Sequence, residues 1–133
     1  MTGPAGQLDW LLAEFVRDTP GVVHGVVVSG DGLRLAMSPG VGVALGDQLA
    51  AAASGLVSLA RGTAHLLEAG PVSQTILEMA GGYLFVTSVS QGATLAVFAE
   101  RRCDIGMVGY EMMMLASRVG HALTPAPRTT AGG

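Results

Sequence analysis

The chain has 133 residues, half of them apolar and 13% charged, with a formal net charge of −3. This length predicts a single domain, and the acidic balance argues against a nucleic-acid binder, which needs a basic stripe. The single cysteine, Cys103, excludes an intrachain disulfide, and the amino terminus lacks the basic and apolar regions of a signal peptide. We therefore expect a soluble, cytoplasmic protein whose apolar content serves a core and a surface covered by a partner.

The first part of the chain predicts a helix followed by a hairpin. Apolar residues spaced three and four apart from Leu8 to Phe15 share one face of a short helix. Thr19-Pro20-Gly21 ends this helix because proline and glycine interrupt helices. An apolar, β-branched run follows, and Asp31-Gly32 supplies the positive φ of a hairpin turn. The predicted elements are a flexible lead over 1–6, a helix to residue 18 and strands over 22–28 and 33–37.

The stretch from Leu45 to Glu68 predicts a long central helix with three faces at 100° per residue. The apolar stripe, which is expected to cover a sheet, contains Leu45, Leu49, Ala52, Leu56, Leu59, Thr63 and Leu67. The polar stripe contains Asp47, Ser54, Ser58, Arg61, His65 and Glu68. A flank of small residues contains Ala51, Gly55, Gly62 and Ala69. Glycine costs about 1 kcal/mol relative to alanine inside a helix, so two glycines indicate the close approach of another backbone.

The second half predicts three strands and a last helix. Gly70-Pro71 ends the central helix, and a strand over 72–79 places Gln74, Ile76 and Glu78 on one face. The remaining predicted elements are strands over 83–89 and 93–99, a helix that begins after Asp104, and a flexible tail over 124–133. Tight turns make neighbouring strands antiparallel, and apolar strands need helices on both faces. We expect an α/β fold of the α+β type over 7–123, with a five-stranded antiparallel sheet.

The sequence contains no pattern of catalytic or metal-ligating residues. His24, His65 and His121 have no second ligand at metal-binding spacing, so structural or solvent-facing histidines are the favoured interpretation. Cys103 precedes a helix start, which lowers a thiol pKa, but a buried and inert thiol is the stronger interpretation. The sequence has neither a nucleophile elbow nor a phosphate-binding loop. It therefore predicts no enzyme, no metal and no cofactor.

Polar residues interrupt the central helix, the longest apolar run, and argue against direct membrane insertion.

Two features of the other helices have an interpretation that stays open. Trp10 lies opposite the apolar face of the first helix, where it either anchors a partner or folds against the sheet rim. The run Met112-Met113-Met114 spans about 200° of helix, so at least one methionine points away from the sheet.

Seven segments together carry a resemblance to a known family, and their order and spacing are more specific than any one of them. They are Leu8–Leu12, Pro20–Val22, Ser29–Leu33, Ser54–Leu56, Glu78–Gly82, Leu95–Val97 and Gly106–Met112. On these residues the chain resembles the roadblock family, named for a dynein light chain, over about residues 8–124. It looks most like the bacterial, MglB-like members and the actinobacterial type found beside a sensor histidine kinase and a Ras-like GTPase.

The resemblance implies a roadblock, profilin-like fold and a homodimer in which the third strands pair and the central helices pack together. It implies a non-enzymatic regulator or scaffold that binds a small Ras-like GTPase in a bacterial signalling complex. A sensor histidine kinase complex is a further implied partner, and partners would recruit the chain to the inner face of the membrane. The predicted dimer interface contains Ala51, Gly55, Gly62, Gln74, Ile76 and Glu78. The predicted partner-binding surface contains Asp47, Ser54, Ser58, Arg61 and His65.

Two other functions stay open at this point. A purely structural subunit of a membrane-associated signalling complex would differ only in leaving the nucleotide cycle of a GTPase unchanged. A small-molecule-sensing domain would need a pocket of several hundred cubic ångströms with convergent polar groups, and the sequence offers no such set. For each residue of the polar stripe, a solvated helix face is the alternative to a binding role.

Overall fold

The computed structural model describes residues 4–124, with the backbone alone for Pro4, Ala5 and Gln91. The helices are α1 (Pro4–Asp18), α2 (Val43–Leu66) and α3 (Ile105–Leu123). The strands are β1 (Val22–Val28), β2 (Arg34–Met37), β3 (Thr75–Met79), β4 (Gly82–Ser88) and β5 (Thr94–Glu100). A 3₁₀ turn over Ser90–Gly92 joins β4 to β5.

The five strands form one antiparallel sheet in the order β2-β1-β5-β4-β3. This confirms the predicted element order and sheet. The largest boundary differences are at two places: residues 4–6, expected in a flexible lead, lie in α1, and the third strand begins at Thr75 instead of residue 72. The other predicted bounds lie within two residues of the observed ones. The predicted tail lies outside the described residues beyond Thr124. The sheet order makes β2 and β3 the two edge strands.

The helices cover the sheet in two layers. On one face, α1 and α3 pack over a core that includes Leu12, Phe85, Val97 and Met112. The predicted helix start at Asp104 is confirmed, since its carboxylate accepts a hydrogen bond from the Met107 amide at 3.0 Å. On the other face α2 lies alone, over a smaller cluster of apolar residues from β1, β4 and β5. One helix therefore has to cover a face that two helices share on the other side.

The side of α2 that meets the sheet differs from the expectation. Small residues make the contact, because Gly46, Ala50 and Ala53 are buried. A Cβ at Gly46 would lie 2.8 Å from the Arg34 side chain, so the helix comes close to β2 there. The prediction that the leucine stripe covers the sheet is wrong, since Leu59 is 71% exposed. Only Leu49 and Leu56 of that stripe pack against the core, from its flank.

By length and composition alone, α2 is apolar enough to cross a membrane. Its most apolar window has a mean hydropathy of 1.4, and 22% of that window is buried. In the structure, however, the helix lies across the sheet, where Ala50 and Ala53 join the core. It is therefore a layer of this domain.

Candidate protein-interaction surface

The face of α2 that points away from the sheet is made of small residues and leucine. Ala51, Gly55 and Gly62 are exposed, and a Cβ built on either glycine would meet no atom within 4 Å. Leu59 and Leu66 lie on the same side and are 71% and 82% exposed. We call these five residues the α2 outer face. The role of its small residues in a dimer stays a prediction, but no contact within residues 4–124 explains two mid-helix glycines here.

The predicted partner-binding residues occupy one flank of α2, beside the outer face. Ser58, Arg61 and His65 are exposed. Arg61 and His65 also line an open depression of about 340 Å³ near the end of the helix. Asp47 is exposed but engaged, because its carboxylate accepts a hydrogen bond from the Arg34 guanidinium at 2.9 Å. Ser54 is half-buried, and its Oγ would lie 3.3 Å from a Cβ built on Gly32. The geometry thus leaves three of the five residues accessible and without a described ion pair.

The edge strand β3 is accessible on both of its faces. Ile76, Leu77 and Met79 are 44%, 41% and 37% exposed. Ile76 pairs with Phe85 and so faces the α3 side, whereas Leu77 pairs with Leu84 and faces the α2 side. Apolar side chains on both faces of an edge strand are typical of a strand that is covered in an assembly. The sequence analysis missed Leu77 and Met79, although apolar residues at successive positions were the available signal.

Two predicted interface residues near β3 are already engaged within the chain. Gln74 precedes the strand and is half-buried, and its amide nitrogen donates to the Thr87 hydroxyl at 3.2 Å. Glu78 forms an ion pair with Arg101 at 3.1 Å. The same guanidinium donates to the Met79 carbonyl at 3.1 Å and lies 5.6 Å from the Tyr83 ring centroid. These contacts hold both ends of β3 and leave its middle exposed.

The remaining candidate groups do not assemble a reaction centre. His24 stacks on Phe98 with ring centroids 6.2 Å apart, and His65 and His121 are exposed. Burial raises the pKa of the Cys103 thiol, and the negative charges of Asp104 and Glu100 raise it further. Within residues 4–124, no group of three histidine, cysteine or acidic residues is placed to hold a metal ion.

Two open questions about the helices are answered in part by exposure. Trp10 is 56% exposed, which places its ring at the surface of α1. In the methionine run, Met112 is fully buried, whereas Met113 and Met114 are 47% and 51% exposed. One methionine therefore packs against the sheet, as the helix period requires, and two lie at the surface.

Comparison with known proteins places the chain in a family. The model of the Roadblock/LC7 domain matches residues 8–99. A crystal structure of a Roadblock/LC7 domain from Streptomyces avermitilis is 37% identical, with a TM-score of 0.82, and the match covers 86% of this chain and 96% of that one. A second structure of such a domain from the same organism is 38% identical, with a TM-score of 0.70 and coverage of 84% and 97%.

More distant structures share the fold. The gliding protein MglB from Thermus thermophilus is 18% identical, with a TM-score of 0.80 and 92% coverage of both chains. No match was found among curated proteins. The family model spans more than half of the chain, and the Streptomyces domain exceeds 30% identity over most of its length. The chain belongs to the Roadblock/LC7 domain family.

Proposed function

We propose that this chain is a homodimeric, non-enzymatic regulator or scaffold that binds a small Ras-like GTPase in a bacterial signalling complex. The family is associated with GTPase-related regulation and is regulatory rather than catalytic. The observation that carries the proposal is the pair of accessible surfaces that lie side by side: the α2 outer face and the exposed edge of β3. Both surfaces suit protein partners, since they are apolar and lack an enclosed cavity.

The dimer would form by antiparallel pairing of β3 with its copy. Such pairing makes one continuous ten-stranded sheet and brings the two α2 helices together on one face. Ile76 and Glu78 would lie at the junction of the sheets, with Gln74 held at the start of the strand by Thr87. The small residues Ala51, Gly55 and Gly62 would then allow the helices to approach closely. This arrangement would explain the two glycines, whose added Cβ atoms would meet no atom within 4 Å in residues 4–124.

The GTPase would bind on the polar flank of α2. Ser58, Arg61 and His65 offer donors, and a cationic Arg61 suits an acidic patch on a partner. Asp47 and Ser54 would lie at the end of this surface nearest the β1–β2 turn, where Asp47 is fixed by Arg34. Because the flank borders the outer face, the proposed GTPase surface would lie next to the proposed contact between the two helices. The same placement suits a larger complex with a sensor histidine kinase on the cytoplasmic side of the membrane.

Light scattering during size-exclusion chromatography tests the proposal directly. The protein is measured alone, and then mixed with a Ras-like GTPase of the same organism loaded with GDP or with a non-hydrolysable GTP analogue. We expect a dimer that binds the GTP-analogue form more tightly, because nucleotide-sensitive loops differ between the two forms. A monomer would contradict the strand-pairing argument. A dimer that ignores both nucleotide forms would contradict GTPase binding.

A GTP hydrolysis and nucleotide-exchange assay separates a regulator from a purely structural subunit. A regulator changes one of these rates, whereas a structural subunit binds without changing either. A small-molecule-sensing role has less support in the geometry. The depressions described in residues 4–124 hold about 10 to 360 Å³ and lie at the surface, and sensor pockets bury most of their ligand.

A further inference from the structure

The two edges of the sheet differ in how they are protected. The β3 edge has five residues and, in the described part of the chain, one side chain bonded to its backbone, Arg101 at Met79. The β2 edge has four residues and lies under the amino-terminal half of α1. There the Asp9 carboxylate accepts a hydrogen bond from the Met37 amide at 3.2 Å. Covering an edge strand with a helix, and placing a charged side chain against it, are devices against strand addition.

The direction of the Met37 amide follows from its neighbour. The Ser38 amide donates to the Gly25 carbonyl at 2.8 Å, so it points toward β1. Amides of successive residues point to opposite sides of an extended strand, so the Met37 amide points away from the sheet. The Asp9 carboxylate therefore stands where the carbonyl of an added strand would have to stand. This outward amide of the four-residue strand is therefore already taken by Asp9.

The backbone of α1 holds Asp9 beside β2, although its side chain is exposed. Asp9 lies next to Leu8, which is 2% exposed, and the buried Leu11 and Leu12 fix the same helix against the sheet. A strand added at β2 would leave the carboxylate desolvated and without its donor, and a buried unpaired charge is costly. The edge is thus closed by an acceptor that already occupies its outward amide.

We propose that Asp9 closes the β2 edge to pairing with a further copy of this chain, so that assembly proceeds through β3 alone and stops at the dimer. This inference rests on the proposed dimer. Two open edges on one sheet would produce an open-ended assembly, because each added copy exposes another edge. One closed edge and one open edge produce a closed two-fold pair. Asp9 acts here as a positioning and specificity residue for self-association.

Asp9→Ala and Asp9→Asn form a matched pair that tests this. Asp9→Ala frees the Met37 amide and removes the charge, so we expect a light-scattering mass that rises above the dimer with concentration. Asp9→Asn keeps an acceptor oxygen, so we expect the wild-type mass. Hydrogen exchange at the Met37 amide should accelerate about tenfold in Asp9→Ala and stay near wild type in Asp9→Asn. Should Asp9→Ala fail to fold, Asp9→Ser, whose hydroxyl is too short to reach the amide, replaces it.

Two outcomes would overturn the inference. One is an alanine variant whose Met37 amide exchanges faster while its mass stays at the wild-type value over the whole concentration range. The other is an exchange rate unchanged by the substitution, which would mean that Asp9 does not hold the amide. Leu77→Arg, at the β3 edge, separates this result from a failure of the proposed dimer. If β3 pairing is wrong, Leu77→Arg alone leaves the mass unchanged, whereas an open β2 edge still makes Asp9→Ala associate in that background.

Discussion

At the scale of single residues, Gly21 joins α1 to β1 in a conformation that side chains avoid. Its φ is +89°, and a Cβ added there would lie 2.7 Å from the Cβ of Cys103. Gly21→Ala therefore combines a left-handed backbone, which costs about 1–2 kcal/mol, with overlap that costs about 1–3 kcal/mol. We expect the free energy of unfolding, measured by urea denaturation, to fall by the sum of these two costs.

Gly40→Ala is the matched control, because Gly40 has a φ of +88° and no atom within 4 Å of an added Cβ. The free energy of unfolding of Gly40→Ala should fall by the backbone cost alone. Cys103→Gly in the Gly21→Ala background should recover part of the difference by removing the overlapping atom. Equal losses for the two alanine variants would show that the turn relaxes away from Cys103.

The Cys103 thiol gives a prediction that depends on pH. Burial raises its pKa, and the nearby carboxylates add to the effect. Since the thiolate is the nucleophile, iodoacetamide at pH 8 should alkylate the folded protein more slowly than the same protein unfolded in urea. The raised pKa also means that the native state favours the protonated thiol. Its contribution to stability is therefore complete below the ordinary thiol pKa and is lost as the pH rises through the raised value. Equal alkylation rates in the two states would contradict the burial argument.

At the scale of elements, a leucine introduced on the outer side of α2 should affect association, whereas one introduced on the side against the sheet should affect stability. Gly55→Leu adds a side chain where no atom of residues 4–124 lies within 4 Å of an added Cβ, and leucine favours a helix over glycine by about 0.5–1 kcal/mol. The fold should thus be kept or stabilised, while the proposed contact between two helices is blocked by overlap. Light scattering should show a monomer with an unchanged circular dichroism spectrum.

Ala53→Leu supplies the contrast, because Ala53 is fully buried against the sheet. It should lower the midpoint of urea unfolding, since extra methylenes in a packed core cost about 1–3 kcal/mol. A Gly55→Leu protein that still runs as a dimer would move the helix contact away from the α2 outer face.

The same helix shows what can be predicted from sequence. Turn residues such as Asp31-Gly32 mark where strands reverse, so element order and antiparallel pairing follow from local patterns. A helical period tells which residues share a face, but two apolar faces on α2 leave open which one meets the sheet. Close packing on the sheet buries Ala50 and Ala53 instead of the leucines, and that depends on contacts distant in sequence. The edge position of β3, which carries the proposed interface, follows from strand order and is likewise non-local.

At the scale of the whole molecule, the fold separates its core from its contact surfaces. The face under α1 and α3 holds the larger buried cluster. The single helix α2 presents exposed apolar side chains on the other face, and the edge strand β3 presents them on both. This asymmetry explains how a small chain can be half apolar: part of that content would be buried only on assembly. Stability and association should accordingly respond to different substitutions.

Arg61→Glu tests that separation for the proposed GTPase contact. Arg61 is exposed on the polar flank of α2 and has no described ion pair, so reversing its charge should leave the melting temperature and the oligomeric state unchanged. If it contacts an acidic patch on the GTPase, affinity measured by calorimetry should fall at least about tenfold, since truncating or reversing an interfacial charge costs more than 1.4 kcal/mol. Arg102→Glu is the matched control, because Arg102 is also exposed but lies beyond the end of β5 rather than on α2. Equal loss of affinity in both variants would mean that the partner responds to net charge rather than to this surface, and a lower melting temperature in Arg61→Glu alone would give Arg61 a structural role instead.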